Sequence, residues 1–176
     1  MIAYKFLATG GRAPFSERHW PPPAAEPSAW VEATGPLEPC RNGVHACEPH
    51  DLPYWISEEL WEVELDGEQL RGPQSIIARR GRLVRQIDAW NPVNARTFAE
   101  QCRARAQTYV AKLPADMDEQ AVELLETARS SFDAQNYVVT AYASAMAFTL
   151  LAASATAAFD AERAEQGQLL TRILSL

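Results

Sequence analysis

A chain of 176 residues, 47% of them apolar, can bury the core of one compact domain or of a domain with a helical appendage, and it is too apolar to be disordered by composition. The formal net charge of −7 excludes a nucleic-acid binder held by bulk charge. Residues 71–112 depart from that average: eight Arg and one Lys against Asp88 and Glu100 make a basic centre of +7 between flanks that sum to −14. Such a centre either holds a phosphate or another anionic partner, or is neutralised by acidic residues on neighbouring strands.

At the start, Ile2, Tyr4 and Phe6 alternate with Ala3, Lys5 and Leu7, a period of two that predicts a strand ended by Gly10-Gly11. This charged, strand-like opening does not read as a cleavable signal, and with an odd cysteine count the expected compartment is the cytoplasm. Residues 12–36 are loop-like, because Trp20-Pro21-Pro22-Pro23 and Pro27 interrupt any helix or ladder; Trp20 and Trp30 at its ends fit a flap pinned to the body or an inert anchored loop. Gly43 then turns the chain into a short strand, Val44 to Cys47, with Val44 and Ala46 on one face and His45 and Cys47 on the other. Asp51 is expected to cap a helical Leu52 to Ile56 with Pro53 in its first turn, a junction whose free N–H groups suit an anion.

Trp61, Val63 and Leu65 alternate with Glu62, Glu64 and Asp66 in a second strand, with a turn expected at Asp66-Gly67. Ser75 to Arg79 and Leu83 to Ile87 flank Arg80-Gly81, which reads as a hairpin or tight bend; if it pairs with the Glu62 and Glu64 strand, the local charges answer one another. Asn91-Pro92 opens a helix with Cys102 on its apolar face, and Thr97 to Glu100 offers a later capping box as an alternative start. After Leu113-Pro114, Met117, Ala121, Leu124, Leu125 and Ala128 define an amphipathic helix with acidic Glu119, Glu123 and Glu126 outside.

Ser130 to Asp133 is expected to cap a long Ala-rich helix over 134–165. Its bulky stripe is Val139, Tyr142, Met146 and Leu150, its small stripe Ala143, Ala147, Ser154 and Ala158, and Gly167 is expected to kink the segment beyond it. The 23 uncharged residues from Tyr137 to Phe159 reach the length of a membrane span, but their Ala, Ser and Thr content and the acidic flanks Asp133 and Asp160 predict a buried helix instead.

The chemistry concentrates in Cys40 to Asp51, which holds two of the three cysteines and two of the three histidines. Cys40, His45, Cys47 and His50 are acceptable zinc ligands, with His19 as a substitute, although all four would have to converge from one turn and one strand. Cys47 activated by His45 or His50 is a nucleophile reading, a Cys40–Cys47 disulfide a redox one, and a packed His45 and Cys47 the plain alternative.

Ala3-Tyr4-Lys5-Phe6, Pro39-Cys40-Arg41-Asn42-Gly43-Val44-His45-Ala46-Cys47 and the strand Leu60 to Gly67 together resemble a family of small bacterial and phage domains with an initial Tyr-Lys strand and a Cys-x-x-Gly-aromatic-His-Ala-Cys motif. The resemblance covers about the first half of the chain and implies a fold without an activity; Val44 replaces the aromatic residue. More distantly, the order of elements is similar to ADP-ribosyltransferase-like domains, which bind NAD between two small sheets. That similarity implies Lys5 in the place of a His or Arg, His45 in the place of a Tyr, Glu64 as the late acid, and Arg79, Arg80 and Arg82 steadying phosphates.

The expected architecture is α+β: a mostly antiparallel sheet over 1–90, with its flap at 12–36, and a helical half over 91–176 that packs on it or forms a homo-oligomer through 134–165. Three functions follow: nucleotide handling with an NAD-type ligand, with His45 and Glu64 as catalytic residues and Lys5 and the arginines holding the cofactor; a non-catalytic interaction or assembly protein; or a zinc-stabilised domain.

Overall fold

A computed structural model describes all residues except 15, 17, 22–26, 115–117 and 151. Pro22 and Pro23 of the flap and Met117 of the second amphipathic helix lie outside the described residues. The chain divides into two compact units, Met1–Trp90 and Asn91–Leu176. The first holds an antiparallel sheet and the second four α-helices among the described residues, an α+β protein.

The strands are β1 (Ile2–Leu7), β2 (Val31–Glu32), β3 (Val44–Ala46), β4 (Glu59–Gly72) and β5 (Ser75–Gln86), in the order β1-β4-β5-β2 with β3 also paired to β5. Tyr4 exchanges backbone hydrogen bonds of 2.9 and 2.8 Å with Cys47, just past β3, so β1, β4, β5 and β3 form a closed circuit. Its inner face buries Ala3, Leu7, Val44, Ala46, Val63, Leu65, Ile76 and Leu83, with Ala13 and Trp20 of the flap added. On the other face of β1 and β4, Phe6 and Leu60 are buried, as are Leu52, Ile87 and Trp90.

Two expected turns are strand interior. The chain runs through Asp66-Gly67 as β4, with a register shift between Asp66 and Gln69, and reverses instead beyond Gly72, which pairs with Ser75. Gly67 takes a φ of +77° at that irregularity, a bulge rather than a hairpin tip. Arg80-Gly81 lies within a continuous β5, where Gly81 pairs with Leu65 on one side and Val31 on the other. A Cβ there would stand 2.7 Å from Val44 Cγ1 and 3.1 Å from Leu65 Cδ2, so this glycine serves close packing, not chain reversal.

The flap is pinned at several points. Trp20 is buried, Trp30 stacks 4.8 and 4.5 Å from the guanidiniums of Arg80 and Arg82, and Ser28 donates its N–H to Leu83 O and accepts from Leu83 N. Its β2 pairing adds a ladder segment that the proline content concealed.

In the second unit, α1 (Pro92–Val110) starts at Asn91, whose side chain accepts from Val93 N and Asn94 N at 3.1 Å; the later capping box is not used. Cys102 is fully buried. The Ser130 to Asp133 segment remains inside α2 (Asp118–Asp133), and Asn136 caps α3 (Tyr137–Ala147). The expected 134–165 helix is broken: α3 stops at Ala147 and α4 (Ala155–Leu174) begins at Ser154, whose hydroxyl accepts from Ala157 N. Tyr109 donates its hydroxyl to Leu150 O at 2.7 Å, partnering a carbonyl at the break. Gly167 is buried within an uninterrupted α4. No helix among the described residues is long and apolar enough to cross a membrane.

Candidate functional site at the junction of β1 and β3

The loop before β3 is held by its own side chains. Asn42 donates from Nδ2 to Thr34 O and Pro36 O, and Arg41 N and Asn42 N both donate to Glu38 O. Gly43 has a φ of +136°, and a Cβ on it would fall 2.3 Å from Ile77 Cγ2. Only glycine fits both constraints.

His45 uses both ring nitrogens on this loop. Nε2 accepts the Cys40 N–H at 3.1 Å, which leaves Nδ1 to donate to Gly43 O at 3.0 Å. Burial lowers the imidazole pKa below its ordinary value; the Gly43 hydrogen bond opposes that shift and the nearby Lys5 charge adds to it. The ring is therefore a neutral staple that holds Cys40 in its left-handed φ of +60°.

Lys5 shares the inner face of β1 with Ala3 and Leu7. Its ammonium donates to His45 O at 2.7 Å and stands 5.4 Å from the Trp20 ring centroid. Burial brings its pKa down to about 8, a shift that the Cys47 side chain opposes. Cys47 is buried, and desolvation followed by the carboxylate of Asp51 pushes its thiol far above the usual range, which keeps it protonated and a poor nucleophile.

Lys5, His45, Cys47 and Trp20 are thus brought together, while Glu64 is not. Glu64 pairs with Ile2, whereas Lys5 pairs with Trp61, so the two side chains leave opposite faces of the β1–β4 ladder. The arginines are engaged across strands: Arg79 with Glu68 at 2.6 Å and with the carbonyls of Ala33 and Gly35, Arg80 with Asp66 at 2.5 Å, Arg82 with Glu64 at 2.6 Å and Arg85 with Glu62 at 2.7 Å. Charge neutralisation between β4 and β5, the second of the two readings of the basic centre, is the arrangement found there.

The four zinc-type residues are scattered in environment. Cys40 is exposed and Cys47 buried, both as free thiols; His50 is exposed with Glu48 and Asp51 at 3.6 Å on either ring nitrogen; and His45 has no free nitrogen. Among the described residues no group of three or more His, Cys, Asp or Glu side chains is placed to hold a metal ion. Asp51 is not the expected cap: Pro49–Tyr54 forms a 3-10 turn with Glu48 at its N-cap, and Asp51 lies inside. Proline at Pro49 starts the turn three residues earlier than the Asp51 signal implied.

Sequence reasoning missed the polar pairing in the helical unit. Arg105 donates to both carboxylate oxygens of buried Glu162 at 3.0 and 2.8 Å, and Gln166 Nε2 donates to Ala141 O at 3.0 Å while accepting from Arg163. Arg105 and Glu162, like Gln166 and Ala141, stand too far apart in the chain to leave a periodic signal. No protein-family model, curated protein or solved structure matches this chain.

Proposed function

We propose that the chain is a non-catalytic interaction protein that assembles with a second copy through α3. The observation that carries this reading is the outer surface of that helix: α3 has no charged residue, and its exposed positions are Val138, Val139 and Tyr142, with Met146 and Tyr137 half-buried. A helix that ends its contacts at solvent carries charge on its outer face. Here Ala143 and Ala147 of the small stripe are buried, while Val139 and Tyr142 of the bulky stripe are exposed, with Tyr142 set edge-on to Phe159 at 5.4 Å. The neutralised arginines and the doubly bonded His45 support the same reading, since they are committed to the fold. Light scattering on the full chain tests it: a dimer or larger assembly that Tyr142→Asp converts to monomer is expected, and a strict monomer at millimolar concentration defeats it.

The nucleotide-handling reading draws on the convergence of Lys5, Trp20 and the His45 carbonyl. It requires a rise in melting temperature with NAD, ADP-ribose or ATP that His45→Ala abolishes. No shift at millimolar ligand removes it.

A further inference from the structure

We infer that a groove along α1 docks an acidic amphipathic helix of a partner protein, an inference that rests on reading the chain as an interaction module and names a partner for it. Two hollows make the groove. One, of about 370 Å³, is lined by Thr108, Tyr109, Lys112 and Phe148; the other, of about 300 Å³, by Gln101, Glu165, Leu169 and Arg172. Ala104 and Arg105 line both, so the two run together. From Gln101 to Lys112 the floor extends for about 16 Å, three helical turns.

The floor of the first hollow is mainly apolar and is fixed. Tyr109 and Phe148 stack with ring centroids 4.5 Å apart, and Tyr109 is anchored by its hydrogen bond to Leu150 O. In the middle, Arg105 is answered by Glu162, with Glu165 at 4.0 Å, and packs 6.0 Å from the Phe148 centroid. The exposed Lys112 and Arg172, one in each hollow, make no ion pair among the described residues. A trough with Tyr109 and Phe148 on one floor and Leu169 on the other, a cation toward each end and one arginine between two carboxylates at its centre complements a helix that has one apolar stripe and acidic residues only toward its ends, about three turns apart.

Two other occupants fit less well. Both hollows open broadly to solvent, so a small molecule would keep much of its surface wet, unlike the enclosed sites that such ligands use. The α3 of a second copy brings no anion to Lys112 or Arg172.

Fluorescence anisotropy on the full chain tests the inference, using as probe a labelled peptide of about 18 residues that forms an amphipathic helix of Leu, Ala and Glu, with a twin carrying Lys for Glu. The Glu peptide is expected to bind about tenfold or more tighter than the twin, although the net charge of −7 favours the twin. Lys112→Glu with Arg172→Glu is expected to weaken the Glu peptide about tenfold or more, and Lys112→Gln with Arg172→Gln about threefold should the reversals perturb the circular dichroism spectrum. Tyr142→Asp, which tests the α3 assembly separately, is expected to leave peptide affinity unchanged. Equal or tighter binding of the Lys twin, no loss in both double variants, or loss in Tyr142→Asp overturns the proposal. So does affinity that falls as chain concentration rises, because another copy then fills the groove.

Discussion

At Lys5 the cost of placing an amine on the inner face of a small sheet is offset by one hydrogen bond and one aromatic ring. Its pKa of about 8, against an ordinary 10.5, means that the unfolded chain holds more protons than the folded one between those values. Stability therefore rises with pH across that window, by about 1–3 kcal/mol for a partly screened group. Urea denaturation at pH 7.5 and pH 10 should display the rise in the wild type and lose it in Lys5→Met; an equal rise in both would assign it elsewhere. His45 gives the complementary slope on the acid side. With its folded pKa depressed below 6.5, the unfolded imidazole takes up a proton that the folded ring resists, and stability falls as pH drops below about 6.5. His45→Phe should flatten that slope and, by removing the bond to the exposed Cys40 N–H, lower stability at pH 7 by about 0.5–1.5 kcal/mol.

Among the elements, β4 and β5 show why glycine is an ambiguous signal. Gly67 has the positive φ of an irregular site, and Gly81 the crowded surroundings of a strand crossing beneath two side chains, yet both read as turns because composition gives no view of neighbours. Gly81→Ala is expected to cost about 1–3 kcal/mol through overpacking against Val44 and Leu65, measured by chemical denaturation. A change within experimental error would mean that β3 shifts to make room. The alternating strands around Tyr4 and Val63 and the Asn91-Pro92 helix start were legible, since each rests on local periodicity or a local cap. The break between α3 and α4 was not: Ala-rich sequence is compatible with continuing, and what ends α3 includes a hydroxyl from Tyr109, 41 residues from the carbonyl it meets. The candidate site was legible in its residue types but not in its geometry, because the closure of β1 onto Cys47 decides that His45 presents a carbonyl to Lys5 and its ring to Cys40.

For the whole molecule, the two proposed contacts differ in their electrostatics. Two copies that meet through α3 each carry a net charge of −7, and the contact itself is uncharged. Added salt shortens the Debye length from about 14 Å at 50 mM toward about 4 Å at 500 mM, so the mutual repulsion is screened while the apolar burial persists. Self-association should strengthen. The groove uses Lys112 and Arg172 against acidic side chains, an attraction that the same screening removes, so peptide affinity should fall. Sedimentation equilibrium and anisotropy over one NaCl series should therefore give slopes of opposite sign. If both rise together, the peptide is held by apolar contact alone; if self-association weakens with salt, the copies meet through charged surfaces and not through α3.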